Sequence, residues 1–107
     1  MFDPTVFVLA GDGCLQEGVS GEASSLAGTL ALENLVLIWD DNRITIDGGT
    51  DVAFDEDVRA RYAAYGWRVL EIDDFRDLAA IERVLAEARS RSGRPTLVAV
   101  RSTIGWP

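Results

Sequence analysis

Residues 5–13, TVFVLAGDG, join an apolar, β-branched run to a turn in which two glycines flank an aspartate. The uninterrupted apolar run predicts a strand over 5–10 that is buried on both faces, as in a parallel sheet. Gly11 and Gly13 allow a sharp turn and a close approach to a ligand, and the helix predicted from Glu17 offers free amides to an anion. The stretch therefore places a candidate binding turn at the carboxyl end of a strand, where open α/β sheets bind their ligands.

The rest of the chain alternates between apolar runs and helical patterns. Strands are predicted over 35–39, 67–72 and 96–100, helices from Glu17 to Leu30 and over 55–65 and 77–92, and a polar loop over 40–54. This alternation predicts an α/β fold, in which a parallel sheet of about four strands carries helices on both faces. Because no internal repeat or domain boundary is visible, we expect a single, partial domain over residues 1–107.

Several apolar side chains are expected in the core. One helical face is predicted to bury Val19, Ala23, Leu26, Ala27 and Leu30. The last helix is predicted to bury Leu78, Ile81, Leu85 and Ala88. Packing roles are also expected for Trp39, Trp67, Trp106 and Cys14.

The composition excludes several classes of function. The formal net charge of -8 argues against nucleic acid or an anionic membrane surface as a partner. The chain has no histidine, so a Ser-His or Cys-His pair cannot be built from it alone, and the absence of lysine excludes a P-loop lysine. One cysteine forbids an internal disulfide and suits a reducing compartment, so we expect a cytoplasmic protein. No signal peptide or membrane-spanning run is expected.

The aspartate in the first turn indicates a metal ion. The carboxylate of Asp12 would repel a phosphate unless a divalent cation lay between them. Asn42 follows the next predicted strand, so the two side chains meet if these strands are neighbours. The alternative is an ordinary turn and a capped loop, since Asp and Asn favour turns. An EF-hand is excluded because Thr45 stands where glycine is required, and a dinucleotide fingerprint is excluded because Gln16 replaces its third glycine.

Longer strings carry a resemblance to a known family. Residues 11–48, GDGCLQEGVSGEASSLAGTLALENLVLIWDDNRITIDG, are similar to transketolases, as are 62–74, YAAYGWRVLEIDD, and 101–107, RSTIGWP. The resemblance implies a thiamine diphosphate-dependent transferase of the pentose phosphate pathway that moves a two-carbon ketol unit between sugar phosphates. It also implies a homodimer. Two alternatives remain open: another thiamine diphosphate enzyme, such as a dehydrogenase E1 component, and a non-catalytic metal- or nucleotide-binding α/β module.

The resemblance implies the cofactor site residue by residue. Asp12, the side chain of Asn42 and the main-chain carbonyl of Ile44 would hold Mg²⁺ or Ca²⁺. Gly11, Gly13 and Asn42 would bind the cofactor, with the Gly13 amide on the diphosphate. The cation would then explain how an acidic chain without lysine holds an anionic cofactor.

The resemblance also assigns roles that the residues alone do not suggest. Glu17 and Glu22 match acids that the family uses near the dimer interface, in a path that links two active sites. The histidines and the activating glutamate of the family belong to regions that this sequence does not include. We therefore expect a fragment that is inactive alone, with an exposed apolar surface where neighbouring parts would pack.

Overall fold

The computed structural model describes residues 4–41 and 57–101, without the side chains of Asp12 and Gln16. The elements, in chain order, are β1 Val6–Ala10, α1 Asp12–Gln16, α2 Gly18–Thr29, β2 Leu35–Asp41, α3 Val58–Ala64, β3 Arg68–Ile72, α4 Leu78–Arg89 and β4 Thr96–Arg101. Most of the loop predicted over 40–54 and the side chain of Trp106 lie outside the described residues.

The four strands form one sheet in the order β1-β2-β4-β3, and every neighbouring pair is parallel. In register, Ala10 of β1 lies opposite Trp39 of β2, and Val36 of β2 lies opposite Thr96 of β4. The predicted α/β class and the predicted four-stranded parallel sheet are therefore confirmed. So is the condition set for the candidate site, because β1 and β2 are neighbours.

Each face of the sheet has its own hydrophobic cluster, because successive side chains of a strand point to opposite faces. The first cluster joins the sheet to α1, α2 and α3 and comprises Leu15, Ala27, Leu37, Trp39, Val58, Tyr62, Trp67, Leu97 and Ala99. The second joins the sheet to α4 and comprises Val36, Ile72, Val84, Ala88 and Val98. Helices therefore cover both faces, as predicted, and the packing roles of Trp39 and Trp67 are confirmed.

The prediction that β1 is buried on both faces was wrong. Strand β1 is an edge of the described sheet, and its side chains from Val6 to Leu9 are 42–77% exposed. An apolar run indicates a strand whose partners cover it, but the sequence does not state whether those partners lie within the same segment. The expected exposed apolar surface is thus observed along β1.

The prediction of which helical faces are buried was also partly wrong. Val19 and Leu26 of α2 and its C-cap residue Leu30 are exposed, while Ser24 is buried, as is Ala27. Periodicity detects an apolar stripe without showing which side of the helix the sheet covers.

Two smaller expectations also failed. Leu78 is 77% exposed at the start of α4, where Val84 and Ala88 are the buried residues. Cys14, expected to be a packing residue, is exposed, and its neighbour Leu15 is the residue of α1 that packs into the core.

Ser24 is buried because hydrogen bonds replace its contacts with water. Its hydroxyl lies 2.7 Å from the hydroxyl of Tyr62, and its carbonyl accepts a hydrogen bond of 2.8 Å from the indole nitrogen of Trp67.

Helix α2 lies close to the α3–β3 connection because residue 28 is glycine. A Cβ there would overlap the carbonyl oxygen of Tyr65. The connection itself turns at Gly66, whose φ of 95° is favourable only for glycine.

We predict that Gly28→Ala destabilises the chain by about 2 kcal/mol or more, because the new methyl group collides with backbone rather than with a flexible side chain. Gly21→Ala in the same helix is the control. There a Cβ makes only an ordinary contact, 3.5 Å from the Tyr65 hydroxyl, and the helix propensity of alanine adds about 0.5–1 kcal/mol of stability. Urea unfolding measures both, and equal stability of the two variants would contradict this account of the α2 contact.

One arginine, Arg68, caps the C-terminal end of α4. The Arg68 Nη2 atom donates to the carbonyl oxygens of Glu87, at 3.0 Å, and Ser90, at 3.0 Å. Its Nε atom donates to the Thr96 hydroxyl at 3.0 Å. The guanidinium therefore adds charged donors to carbonyl groups at the helix end, where the Glu87 carbonyl also accepts from the Ser90 amide, and ties α4 to the start of β3 and β4.

We predict that Arg68→Met lowers the free energy of unfolding by about 1.5–3 kcal/mol, because charge-assisted hydrogen bonds to the helix end are lost. Arg83→Met, on the exposed side of α4, serves as the control and should change stability by less than about 0.5 kcal/mol. Thermal or urea unfolding gives the comparison. A loss at Arg83 equal to that at Arg68 would show that the capping contacts contribute nothing specific.

Candidate functional site

The candidate site lies at the carboxyl edge of the sheet, where β1 and β2 end side by side. The register that places Ala10 opposite Trp39 brings the turn at Gly11 next to the last residues of β2, which ends at Asp41. Asn42 is the next residue in the chain, but Asn42 and Ile44 lie outside the described residues, as does the side chain of Asp12. Their convergence on one cation stays a prediction, which the pairing of the two strands supports.

The turn after β1 leads directly into α1 rather than into a longer loop. Gly11 is the N-cap residue, has an extended backbone and makes no side-chain capping bond. The amide of Leu15 donates to the Gly11 carbonyl at 3.3 Å. The amides of Asp12, Gly13 and Cys14 precede this bond, in the first turn, where a helix leaves its amides without intrahelical partners.

Neither glycine of this turn is required by the fold of the described residues. A Cβ at Gly11 or Gly13 would meet nothing within 4 Å. The described glycines with positive φ are Gly66 and Gly93, so backbone conformation does not require glycine at positions 11 and 13 either. Open space and the absence of a side chain are what a turn needs if a bound group is to approach its backbone.

A cleft of about 470 Å³ opens at the same edge of the sheet. It lies at the carboxyl ends of β1, β2 and β4 and is lined by Leu9, Ala10, Gly11, Ile38, Asp40 and Val100. Its walls are mostly apolar, and Asp40 contributes a carboxylate from an exposed position. Its place matches the crevice beyond the strand ends in which open α/β sheets bind ligands.

On the sheet face that carries Trp39, an arginine pairs with two carboxylates. The Arg59 Nη2 atom lies 3.2 Å from Asp41 Oδ2, and the Nε atom lies 2.8 Å from Glu71 Oε1. The Arg59 guanidinium also lies 5.2 Å from the ring centroid of Trp39. Burial lowers the pKa of Arg59, but hydrogen bonds and charges from Glu71 and Asp41 outweigh it and hold that pKa above its ordinary value.

This pairing was missed by the sequence interpretation. Asp41 was included in a polar loop, whereas it is the last residue of β2 and is buried, with 3% exposure. No signal in the sequence joins Arg59 to Asp41 and Glu71, because the contact depends on how α3 lies over the sheet. A buried carboxylate of this kind persists only with a charged or hydrogen-bonding partner.

Glu17 and Glu22 lie apart from the cleft. Glu17 is the N-cap residue of α2, Glu22 lies on the same helix, and both are exposed. Neither lines the cleft at the strand ends. Exposure is expected both for acids that face solvent and for acids that contact a partner subunit. The implied role of the two glutamates therefore stays a prediction.

The described residues alone do not complete a metal site. Within 4–41 and 57–101, excluding the side chain of Asp12, no three acidic or cysteine side chains lie close enough together to hold a metal ion. No helix in this part of the chain is long and apolar enough to span a membrane.

Comparison with known proteins identifies the family. The family described as "Transketolase, thiamine diphosphate binding domain" matches residues 1–107. "Transketolase 1" of Saccharomyces cerevisiae is 54% identical over 105 residues, which cover 97% of this chain and 15% of the relative. The transketolase of Kluyveromyces lactis is 56% identical over 105 residues, with 97% and 15% covered. The chain therefore spans about 15% of the length of these curated relatives.

A solved structure shows the same arrangement of elements. The crystal structure of a transketolase mutant from Pichia stipitis, in complex with fructose-6-phosphate, matches with a TM-score of 0.90 and 54% identity. The match covers 97% of this chain and 16% of that one. At this identity the likeness extends to sequence as well as fold.

Proposed function

Because the chain belongs to the transketolase family and matches its thiamine diphosphate-binding domain, we propose that residues 1–107 are part of a domain that holds the diphosphate of that cofactor. The parent activity is transfer of a two-carbon ketol unit between sugar phosphates. Support comes from the relatives and from the Pichia stipitis structure with a sugar phosphate. The chain spans about 15% of its relatives and contains no histidine or lysine. We propose that it binds cofactor but does not catalyse the reaction alone.

The metal site is proposed at the joined ends of β1 and β2. Asp12 and Asn42 would supply a carboxylate and an amide oxygen, and Ile44 would supply a main-chain carbonyl. Hard cations such as Mg²⁺ and Ca²⁺ prefer this donor set, together with phosphate oxygens. The single observation that carries the proposal is the parallel pairing of β1 with β2, with Ala10 opposite Trp39. With this register, residues 12 and 42 each follow the carboxyl end of a strand beside its neighbour.

The main chain of the first turn is proposed to bind the diphosphate. Gly11 and Gly13 leave open space in front of their backbone, and the Gly13 amide lies in the first turn of α1, where amides are available to an anion. The bound cation offsets the negative charge of the chain, so that an anionic group can approach it. When bound, thiamine diphosphate supplies the carbanion chemistry, while this chain positions its diphosphate end.

A homodimer is proposed for the assembled enzyme, with α2 near the interface. Counting its two cap residues, Glu17 and Leu30, this helix exposes Val19, Leu26 and Leu30 to 57–73%, and Glu17 and Glu22 are exposed as well. Exposed apolar side chains on one helix favour burial against another surface. We propose that the two glutamates take part there in the path between active sites that the family implies, and that the enzyme is cytoplasmic.

We predict that calorimetry with the purified chain detects binding of thiamine diphosphate in the presence of Mg²⁺, and that omitting Mg²⁺ abolishes it. ATP with Mg²⁺ is the competitor, because its triphosphate chain also binds Mg²⁺ but it lacks the thiamine ring. We expect thiamine diphosphate to bind more tightly, by the apolar contacts that the cleft offers its ring system. A preference for ATP would instead indicate a nucleotide-binding module.

We also predict that Gly13→Ala weakens binding of thiamine diphosphate and Mg²⁺ about tenfold or more, because a methyl group would intrude where the backbone meets the diphosphate. The unfolding free energy should stay within about 1 kcal/mol of the parent chain, because alanine favours a helix and a Cβ meets nothing within 4 Å there. Gly18→Ala is the matched control, since a Cβ at the start of α2 also meets nothing within 4 Å. Unchanged binding by Gly13→Ala would remove the turn from the diphosphate site.

A further inference from the structure

The Arg59–Asp41 ion pair joins the two ends of one chain segment. Asp41 is the last residue of β2, and Arg59 is the second residue of α3, which begins at Val58. The segment 42–56 therefore begins directly after Asp41 and ends three positions before Arg59. It includes Asn42 and Ile44, two of the proposed metal ligands. The contact of 3.2 Å between Arg59 Nη2 and Asp41 Oδ2 thus links the residue before this segment to the helix that follows it.

The arginine is itself held by a second carboxylate and by a ring. Glu71 of β3 accepts from Arg59 Nε at 2.8 Å, and the guanidinium lies 5.2 Å from the centroid of the Trp39 ring. In the sheet, Trp39 and Glu71 both lie opposite Ala99 of β4. Arg59 therefore spans from β2 to β3 across a strand whose residue at that level has only a methyl side chain. Held at both ends, its planar fork can fix the direction of the Asp41 carboxylate.

We propose that Arg59 is a positioning residue for the cation site: by pairing with the buried Asp41 carboxylate and with Glu71, it holds the end of β2 and the start of α3 in the arrangement from which Asn42 and Ile44 reach the cation. This inference rests on the proposed function and deepens it. Arg59 contacts neither the cation nor the cofactor in this account. Its effect on the metal passes through the backbone on either side of the segment 42–56.

Whether loss of Arg59 weakens or tightens cation binding distinguishes a positioning role from the electrostatic repulsion between Arg59 and the cation. Arg59 is a positive charge near a proposed cation site, so removing that charge would by itself tighten cation binding. Removing a group that orients the ligands would weaken it, and losses of about 10–100-fold are typical when partners behind metal ligands are removed. A weaker site after loss of Arg59 therefore cannot come from electrostatic repulsion. Arg59→Lys retains the charge but loses the planar fork, and isolates the geometric part.

The test uses the 107-residue chain and Mn²⁺ as the probe, with thiamine diphosphate present. Electron paramagnetic resonance of free Mn²⁺ gives the affinity at a temperature where circular dichroism shows every variant fully folded. We expect Arg59→Met to weaken Mn²⁺ binding about tenfold and Arg59→Lys to weaken it at least about threefold. Arg76→Met is the control, because it removes another arginine–aspartate ion pair, that of Arg76 with Asp74, which is exposed and lies between β3 and α4. It should leave the affinity unchanged.

Equal or tighter Mn²⁺ binding by Arg59→Met would overturn the positioning role, as would an equal loss in Arg76→Met. If the parent chain binds no Mn²⁺, the proposed function fails for this chain, and amide hydrogen exchange decides the inference separately. Arg59→Met should then speed exchange at residues 39–41 at least about tenfold, with no change there in Arg76→Met. Unchanged protection of residues 39–41 in Arg59→Met would overturn the inference regardless of metal binding.

Discussion

The parallel pairing of β1 with β2 is the constraint on which the site depends. A parallel pair places both carboxyl ends at one edge of the sheet, and the observed register sets Ala10 opposite Trp39. Two chain segments that are separated by about thirty residues in sequence therefore leave the sheet side by side. An antiparallel pairing would send the turn at Gly11 and the residue after Asp41 to opposite edges. The glycine turn, the cleft at the strand ends and the proposed cation ligands all follow from this arrangement.

The distribution of apolar surface fits a segment that works inside a larger assembly. The sheet is covered by α1, α2 and α3 on one face and by α4 on the other, but β1 and one side of α2 remain exposed and apolar. An edge strand without charge or proline over Val6–Ala10 is one that proteins normally cover. The relatives are several times longer than this chain, which spans about 15% of their length. Their additional polypeptide is a natural source of that cover.

The sequence predicts the order of elements better than it predicts their surroundings. Strand and helix positions follow from hydrophobic periodicity, and the parallel sheet follows from their alternation, so these expectations are confirmed. The predicted burial of β1 and of Val19 in α2 was wrong. Burial depends on what packs against an element, whereas periodicity reports only the element itself. Ser24 could not be anticipated in the core, since its partners Tyr62 and Trp67 are distant in sequence.

Some features of the candidate site could likewise be predicted from the sequence, and others could not. The Gly-Asp-Gly turn and the Asn-containing segment are local patterns, and their chemistry can be inferred from residue type and position. The pairing of Arg59 with Asp41 and Glu71 has no local pattern, because it joins α3 to two strands that are not neighbours. Longer strings that resemble transketolases supplied the assignment to a family, which the comparison with known proteins confirms. Ion pairs of this kind become visible only once the helices are placed on the sheet.

Anomalous diffraction from crystals grown with Mn²⁺ and thiamine diphosphate would locate the cation. We expect one strong Mn²⁺ peak at the carboxyl ends of β1 and β2, at coordination distance, about 2 Å, from oxygen atoms of both Asp12 and Asn42, with the diphosphate on the same ion. A Mn²⁺ peak elsewhere on the fold, or Asp12 and Asn42 too far apart to share an ion, would contradict it.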